Sequence, residues 1–294
     1  MHLFGEKIYT LFQVLKNNIY LLNFLPKITI ITATFNCADS LKKTAISIRE
    51  QDYPHLQWII VDGLSNDNTI GVIKDNHDLI YTWISEKDNG IYDAWNKATK
   101  YIQGEWVLFF GAGDTFFDSK SLFNIFNALT ENDLNSNILL YGNVCIVDNL
   151  GNARYIDKKS SLHFWEFGRP ALPNHQSVLH SKKLFNNSIP FDSNYKIAGD
   201  TKFLLTALLK GKAKYVDVIL SKMVDDGISN NPSNLFVTRN EIKNICFELN
   251  INVPLFYSLK ANIRTYFYFF AIKYLPKSIR KFQKKLFDVI RYIR

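Results

Sequence analysis

Short contiguous apolar runs alternate with stretches of helical spacing along the first part of this chain. Lys27 to Phe35 reads Lys-Ile-Thr-Ile-Ile-Thr-Ala-Thr-Phe, β-branched and apolar, and predicts a strand between Pro26 and Asn36. Ala38 to Gln51 places Leu41, Ala45 and Ile48 on one helical face. Further strands are predicted over Gln57 to Asp62, Ile80 to Ser85 and Glu105 to Phe110, with helices over Thr69 to Asn76 and Tyr92 to Ile102 between them. Strand and helix repeating at this spacing predict an α/β fold with a mainly parallel sheet covered on both faces by helices.

Beyond Asp114 the rhythm changes. A helix is expected over Leu122 to Leu129, a strand over Ile138 to Val147, and an irregular aromatic stretch over Arg154 to Pro173. Asn174 to Leu179 leads into another apolar piece. Asp200 to Leu209 predicts a helix, Tyr215 to Met223 a strand and Asp226 to Ser229 a turn. Residues 7–25 have amphipathic helical spacing. The resulting division is an N-terminal extension over 1–26, one catalytic domain over 27–229, a helical continuation over 230–259 and a basic tail over 260–294.

In parallel sheets, ligands bind at the carboxyl ends of the strands. Asn36, Asp62, Asp88 and Asp114 all fall there, each just after a predicted strand. Their convergence on one edge is a stronger signal than any one of them.

Composition narrows the picture. Of 294 residues, 47% are hydrophobic and 21% charged, which places the chain among folded globular proteins. The three cysteines, Cys37, Cys145 and Cys246, are widely separated, so neither a zinc site nor a disulfide framework is expected, and a reducing cytosol fits. The net charge is +8, but residues 260–294 hold ten Lys/Arg and one acid, Asp288. The tail therefore carries +9 and the body −1. A near-neutral body argues against a nucleic-acid partner. Lys16, Asn17, Asn18 and Asn23 interrupt the apolar N-terminal residues, so no signal peptide is expected, and no window is apolar enough to span a membrane.

Several segments together resemble family 2 inverting glycosyltransferases of the bacterial polysaccharide type. They are Thr32 to Asn36, Val61 to Thr69, Glu86 to Lys97, Gly104 to Asp114, His175-Gln176-Ser177 and Ala198-Gly199-Asp200. The likeness runs from about Lys27 to Ser229. It implies the GT-A fold, a Rossmann-like sheet flanked by helices, and transfer of a sugar from a nucleotide-diphosphate sugar, with a UDP-sugar expected. It also implies a lipid-linked or oligosaccharide acceptor and a divalent metal, Mn²⁺ or Mg²⁺. Two departures stand out. Many relatives carry Asp-x-Asp at the metal site, whereas Ala112 stands here in Gly-Ala-Gly-Asp, so the metal would rest on Asp114 with diphosphate oxygens and water. Relatives with Ala-Arg-Asn in the donor helix have Arg where this chain has Trp95, and Lys97 is the substitute cation.

Such a transfer needs a neutralised leaving group, a proton acceptor for the attacking hydroxyl and a fixed nucleoside. Asp114 suits the first, Asp200 the second, and Thr34, Asn36 and Asp62 the third. Asp88, Asp93, Asn96 and Lys97 are expected on the donor side and His175 on the acceptor side. Plainer readings stand beside these. Asp114 could end a strand in a turn, Asp200 could cap its helix, with Asp192 the next candidate base, and Asp93 with Asn96 could simply stabilise theirs. His175 could be a core residue. Neither a Gly-rich, Lys/Arg-bearing phosphate loop nor Gly-x-Gly-x-x-Gly follows the first strand, which sets aside a nucleotidyltransferase and a dinucleotide-dependent oxidoreductase. A non-catalytic carbohydrate-binding protein of the same fold remains the alternative.

The tail adds one more expectation. From Ser278, Ile279, Phe282, Leu286, Val289, Ile290 and Ile293 recur at helical spacing beside Arg280, Lys281, Lys284, Lys285 and Arg291. An apolar stripe with a basic face, preceded by the aromatic run Tyr266 to Phe270, predicts a peripheral attachment to the cytoplasmic face of a membrane.

Overall fold

The first strand, β1 (Ile28–Thr34), lies at the centre because both of its faces are apolar. Ile28, Ile30 and Ile31 are fully buried. The computed structural model describes residues 25–148, 151–156, 161–166, 168–186, 190–224 and 234–274. The expected extension over 7–25, the turn over 226–229 and the tail beyond Tyr274 lie outside these residues, apart from Leu25.

β1 pairs in parallel with β2 (Leu56–Asp62) on one side and β4 (Trp106–Gly111) on the other, and β2 pairs in parallel with β3 (Ile80–Ser85). The helices between them are α1 (Ala38–Arg49), α2 (Thr69–Asp75) and α3 (Ile91–Thr99). The strands alternate strictly. Ile30, Trp58, Ile60, Leu108 and Phe110 join Leu41, Ile48 and Val72 of α1 and α2 in one core. Ile31, Ile59, Val61, Val107 and Phe109 join Tyr92, Trp95 and Ala98 of α3 in the other. A register slip of one residue would exchange the two sets, so packing on both faces locks the register.

The remainder is β5 (Thr115–Phe116), α4 (Ser121–Asn127), α5 (Glu131–Ser136), β6 (Asn137–Val147), β7 (Ala153–Ile156), β8 (Ser161–Glu166), β9 (Arg169–Ala171), β10 (Val178–Ser181), α6 (Gly199–Lys210), β11 (Lys212–Val224), α7 (Leu235–Glu248) and α8 (Leu255–Tyr274). The sheet order is β3-β2-β1-β4-β10-β6-β11-β5. The parallel half ends at β4, where β10 runs antiparallel to both β4 and β6. The stretch expected to be irregular is not so. β7 extends the sheet antiparallel to β6, and β8 and β9 form a separate two-stranded ladder. Helix α7 shares a core with α6, through Ile242, Ile245, Leu204 and Leu205.

Candidate active site

The sheet register builds the first part of the site. Thr34 is paired with Asp62, and Asp62 with Ser85, so three strand-end polar residues lie abreast. Asp62 is fully buried, which for a carboxylate requires hydrogen-bond partners. Its Oδ1 accepts from the hydroxyls of Thr34 and Ser65. Its Oδ2 accepts from Ser65 N–H at 2.9 Å and the Ser85 hydroxyl at 2.8 Å. Asp62 thereby ties together the ends of β1, β2 and β3 rather than presenting an open carboxylate. Asn36, in a left-handed conformation at φ 49°, accepts from Asn66 N–H and donates its own N–H to Ser65 Oγ, tying the β1 turn to the β2 turn. Asn is one of the few residues that adopts this conformation readily. Beside it, the Phe35 ring is 65% exposed and lies next to Gly63.

The β3–α3 loop supplies the second part. A Cβ at Gly63 would stand 2.6 Å from Asp88 Oδ2, so the missing side chain lets that carboxylate close over the β2 turn. Asp88 accepts from Gly90 N–H, and Asp93 accepts from Asn89 N–H. Lys97 donates to the Lys87 carbonyl at 2.7 Å and pairs with Glu86 and Asp93 at 3.1 and 3.5 Å. Desolvation pulls the Lys97 ammonium down, but pairing with these two acids outweighs it and holds it above its ordinary value. Asp88, Asp93 and Lys97 thus form one braced cluster. Asn96 faces elsewhere. Its amide donates to the Phe191 carbonyl at 2.7 Å and accepts from Phe191 N–H at 3.0 Å.

Asp114 follows β4 through the turn Gly111-Ala112-Gly113. Gly113 has φ 104°, a conformation that excludes most side chains. The Thr44 hydroxyl of α1 accepts from Gly113 N–H and donates to the Asp114 carbonyl. Gly111 N–H donates to Asp114 Oδ2 at 2.8 Å. Gly111 neighbours Ala33 in register, which sets this turn next to Thr34. Among the described residues no three His, Cys, Asp or Glu side chains gather into a metal-binding group. An oriented Asp114 carboxylate fits a hard divalent ion that takes its other ligands from phosphate oxygens and water.

Asp200 is the second residue of α6. Ala198 occupies the N-cap, so the capping alternative falls away. Thr201 N–H donates to Asp200 Oδ1 at 2.6 Å. Burial pushes the Asp200 carboxyl above its usual value, with the Thr201 N–H and the Arg169 charge opposing. Asp192 goes the other way, because the Lys202 ammonium at 2.6 Å holds its carboxyl below the ordinary value. The surroundings thus push the two carboxyls in opposite directions.

Sequence reading missed the residues that hold Asp200 in place. The Tyr92 hydroxyl donates to the Ile197 carbonyl at 2.6 Å and lies 3.4 Å from Asp200 Oδ1. Glu241 of α7 accepts three backbone N–H groups, from Lys196, Ile197 and Ala198. Tyr92 lies inside a segment already singled out. Ser85 ends its strand as Asp62 does, but Glu241 sits on a distant helix without a local motif.

His175 is buried, with its ring stacked on Trp95 at 5.2 Å and packed against His180 at 4.9 Å. Burial pushes its imidazole down to about 3, so it is neutral. The structure therefore puts His175 in the aromatic core beneath α3, with Phe109 and Phe191.

Residues 29–175 match the family model for glycosyl transferase family 2. The chain belongs to glycosyl transferase family 2. An uncharacterized glycosyltransferase of Mycobacterium tuberculosis is 26% identical over 216 residues, 72% of this chain and 80% of that protein. A PGL/p-HBAD biosynthesis glycosyltransferase of the same species is 24% identical over 238 residues, 78% of this chain and 88% of that protein. Among solved structures, Staphylococcus aureus TarS 1–349 in complex with UDP-GlcNAc superposes with a TM-score of 0.60 at 17% identity, over 83% of this chain and 73% of that one. The mannosyltransferase PcManGT from Pyrobaculum calidifontis, in complex with GDP-Man and Mn²⁺, gives 0.56 at 15% identity, over 92% of this chain and 82% of that one. The fold is thus the GT-A fold expected from the motifs, and the matched span holds every proposed donor-side residue, the Asp114 turn and His175.

Proposed function

We propose that this glycosyltransferase moves a sugar from a nucleotide-diphosphate sugar to a hydroxyl of a lipid-linked or oligosaccharide acceptor, with inversion, in building a cell-surface polysaccharide or glycolipid. The observation that carries the reading is the Asp200 carboxyl. It is raised by burial, fixed by Thr201 N–H, and presented by a loop that Tyr92 and Glu241 hold from two sides. Relatives named for glycolipid and teichuronic acid biosynthesis support the pathway class, and neighbours holding UDP-GlcNAc or GDP-Man support the donor class.

On the donor side, Thr34, Asn36 and Asp62 shape the nucleoside pocket, and the exposed Phe35 ring offers a face on which a base can stack. Asp88, braced with Asp93 and Lys97, contacts the sugar or its phosphates, while Asn96 acts by anchoring Phe191. Asp114 would hold Mn²⁺ or Mg²⁺ together with the diphosphate, and the metal would supply charge neutralisation to the leaving group. Asp200 accepts the proton of the attacking hydroxyl as its oxygen bonds to the sugar's anomeric carbon. The bond to the diphosphate breaks and the diphosphate leaves with the electron pair. One displacement inverts the anomeric centre. His175 backs the acceptor side through the aromatic cluster it shares with Trp95 and Phe191. The basic residues of 260–294 place the enzyme peripherally on the inner face of the cell membrane.

The test is a panel of nucleotide-sugars read by released nucleotide diphosphate, for wild type and Asp200→Asn. Loss of a general base lowers the rate by about 10²–10⁴, and donor affinity should persist. Binding without turnover in the wild type would favour the carbohydrate-binding reading. A product retaining the donor's configuration would refute the single displacement.

A further inference from the structure

Between Phe191 and Ala198 the chain forms neither helix nor strand, yet it delivers Asp200 to the start of α6. Such a segment keeps one position only through the ties its side chains make. Glu241 of α7 makes one set, on residues 196–198. Glu248 makes a second. It follows Glu241 by seven residues, close to two helical turns, so both carboxylates leave α7 on the same face. Glu248 Oε1 accepts from the Tyr195 hydroxyl at 2.6 Å, and its Oε2 meets the Lys202 ammonium at 2.6 Å. Lys202, on α6, also reaches Asp192 Oδ2 at 2.6 Å and lies 4.9 Å from the centre of the Tyr195 ring.

An exposed ion pair contributes little. This one is largely covered, with 23% of the Lys202 side chain and 28% of that of Asp192 exposed, and one ammonium serves two carboxylates. Desolvation pulls that ammonium down, but the two acids outweigh it and hold it above its ordinary value. The helix that carries Glu241 and Glu248 is itself seated. Its Ile242, Ile245 and Cys246 are buried in the core shared with Leu204 and Leu205 of α6.

We infer that Lys202 and Glu248 are positioning residues for Asp200, a role that rests on the proposed reading of Asp200 as the base. With Asp192 and Tyr195 they pin the start of the segment, as Glu241 pins its end. Helix α7 thereby becomes part of the catalytic unit, although it lies beyond residues 29–175 of the family match and beyond the catalytic domain expected over 27–229. Lys202 stands two residues after Asp200 in the first turns of α6, so a pull on its ammonium is felt at the base. Charge gives the effect a sign. Without the ammonium, Asp192 and Glu248 face each other as like charges and repel. Removing Lys202 should push Asp192 and its segment away from α7. Neutralising Glu248 as well should relieve that repulsion.

The full-length variants Lys202→Met, Lys202→Arg, Glu248→Gln and Lys202→Met/Glu248→Gln test this. Steady-state release of nucleotide diphosphate is read together with thermal unfolding and amide hydrogen exchange over 194–198. Glu248→Gln keeps an acceptor for the Tyr195 hydroxyl while removing the charge. Lys202→Met should lower kcat by up to about 10²-fold with donor KM held, and should speed exchange in the segment. Lys202→Arg should restore most of kcat, and the double variant should recover part of what Lys202→Met loses. A lower thermal midpoint with wild-type kcat overturns the inference, because the network would then serve the fold alone. Unchanged exchange in Lys202→Met overturns it too, as does a double variant slower than Lys202→Met. A wild type without turnover on any nucleotide-sugar sinks the proposed function, and exchange then decides alone whether the ion network holds the segment.

Discussion

Replacing Glu241 with Ala tests how Asp200 is positioned. Glu241 stands outside the predicted catalytic set, yet its carboxylate accepts from Lys196 N–H at 2.8 Å, Ile197 N–H at 3.0 Å and Ala198 N–H at 2.8 Å. A hydrogen bond to a charged group contributes about 1.5–3 kcal/mol. Lys196 is exposed and its N–H can turn to water, whereas Ala198 is buried and its N–H cannot. The loss therefore falls on two bonds, and Glu241→Ala should destabilise the fold by roughly 3–6 kcal/mol, a drop of roughly 6–24 °C in thermal midpoint. Asp200 follows two residues later, so a loosened 196–198 segment shifts the base. A displacement of about 1 Å lowers turnover by up to about 10²-fold. Donor KM should hold, because Thr34, Asn36 and Asp62 hang from β1 and β2. Glu241→Gln keeps an acceptor oxygen and should fall between. Thermal unfolding and steady-state release of nucleotide diphosphate read both effects. Lost stability with wild-type kcat would show that Glu241 serves the fold alone, and no change in either would refute the reasoning.

Asp114→Ala should abolish transfer while leaving the fold intact, and EDTA should silence the wild type in the nucleotide-release assay. Full activity in EDTA would remove the metal from the mechanism. The buried His175 gives an acid-side prediction. Its imidazole takes a proton near 6.5 when unfolded and near 3 when folded, so the unfolded chain binds more protons across that window. Stability is then fully present above about pH 6.5 and falls by up to about 1.4 kcal/mol per unit as pH drops toward 3. Urea unfolding of His175→Phe, which keeps an aromatic ring in the stack, should show a shallower acid slope, and an unchanged slope would contradict neutral burial.

Strands β1, β2 and β4 were legible because their apolar runs are buried on both faces, a pattern that needs no partner to be read, whereas β3 is an edge strand with Tyr81 and Trp83 exposed. The β8–β9 pair was not, because a two-stranded ladder of aromatic and charged residues shows no core-facing period. Helix α5 buries no residue, so periodicity could not reveal it. The available signal was its cap, where the Thr130 side chain accepts from Asp133 N–H and Asp133 from Thr130 N–H. In the site, strand-end position identified Asp62 but not its saturation, since Ser85 approaches from a separate strand. Asn96 looked like a donor residue on the shared face of α3, yet its amide is spent on Phe191. Glu241 lies 43 residues from Ala198, which it holds, and no local pattern links them.

Helix α3 is where the two halves of the site meet. Asp93 and Lys97 brace the loop bearing Asp88, while Tyr92, Trp95 and Asn96 face Ile197, His175 and Phe191. That division explains why an Arg at the Trp95 position would not suit this chain. Trp95 is buried against Phe109, His175 and Phe191, and an uncompensated guanidinium among three rings carries a large desolvation penalty. A cation for the diphosphate must then come from elsewhere. Lys97 is on the correct helix, but its ammonium already serves Glu86, Asp93 and the Lys87 carbonyl. For Lys97 to turn toward phosphate it must leave two acids unpaired beside an anionic ligand, which is unfavourable. The same three partners make Lys97 a brace that keeps Asp88 over Gly63. In the proposed mechanism the neutralising charge is thus left to the ion that Asp114 would hold.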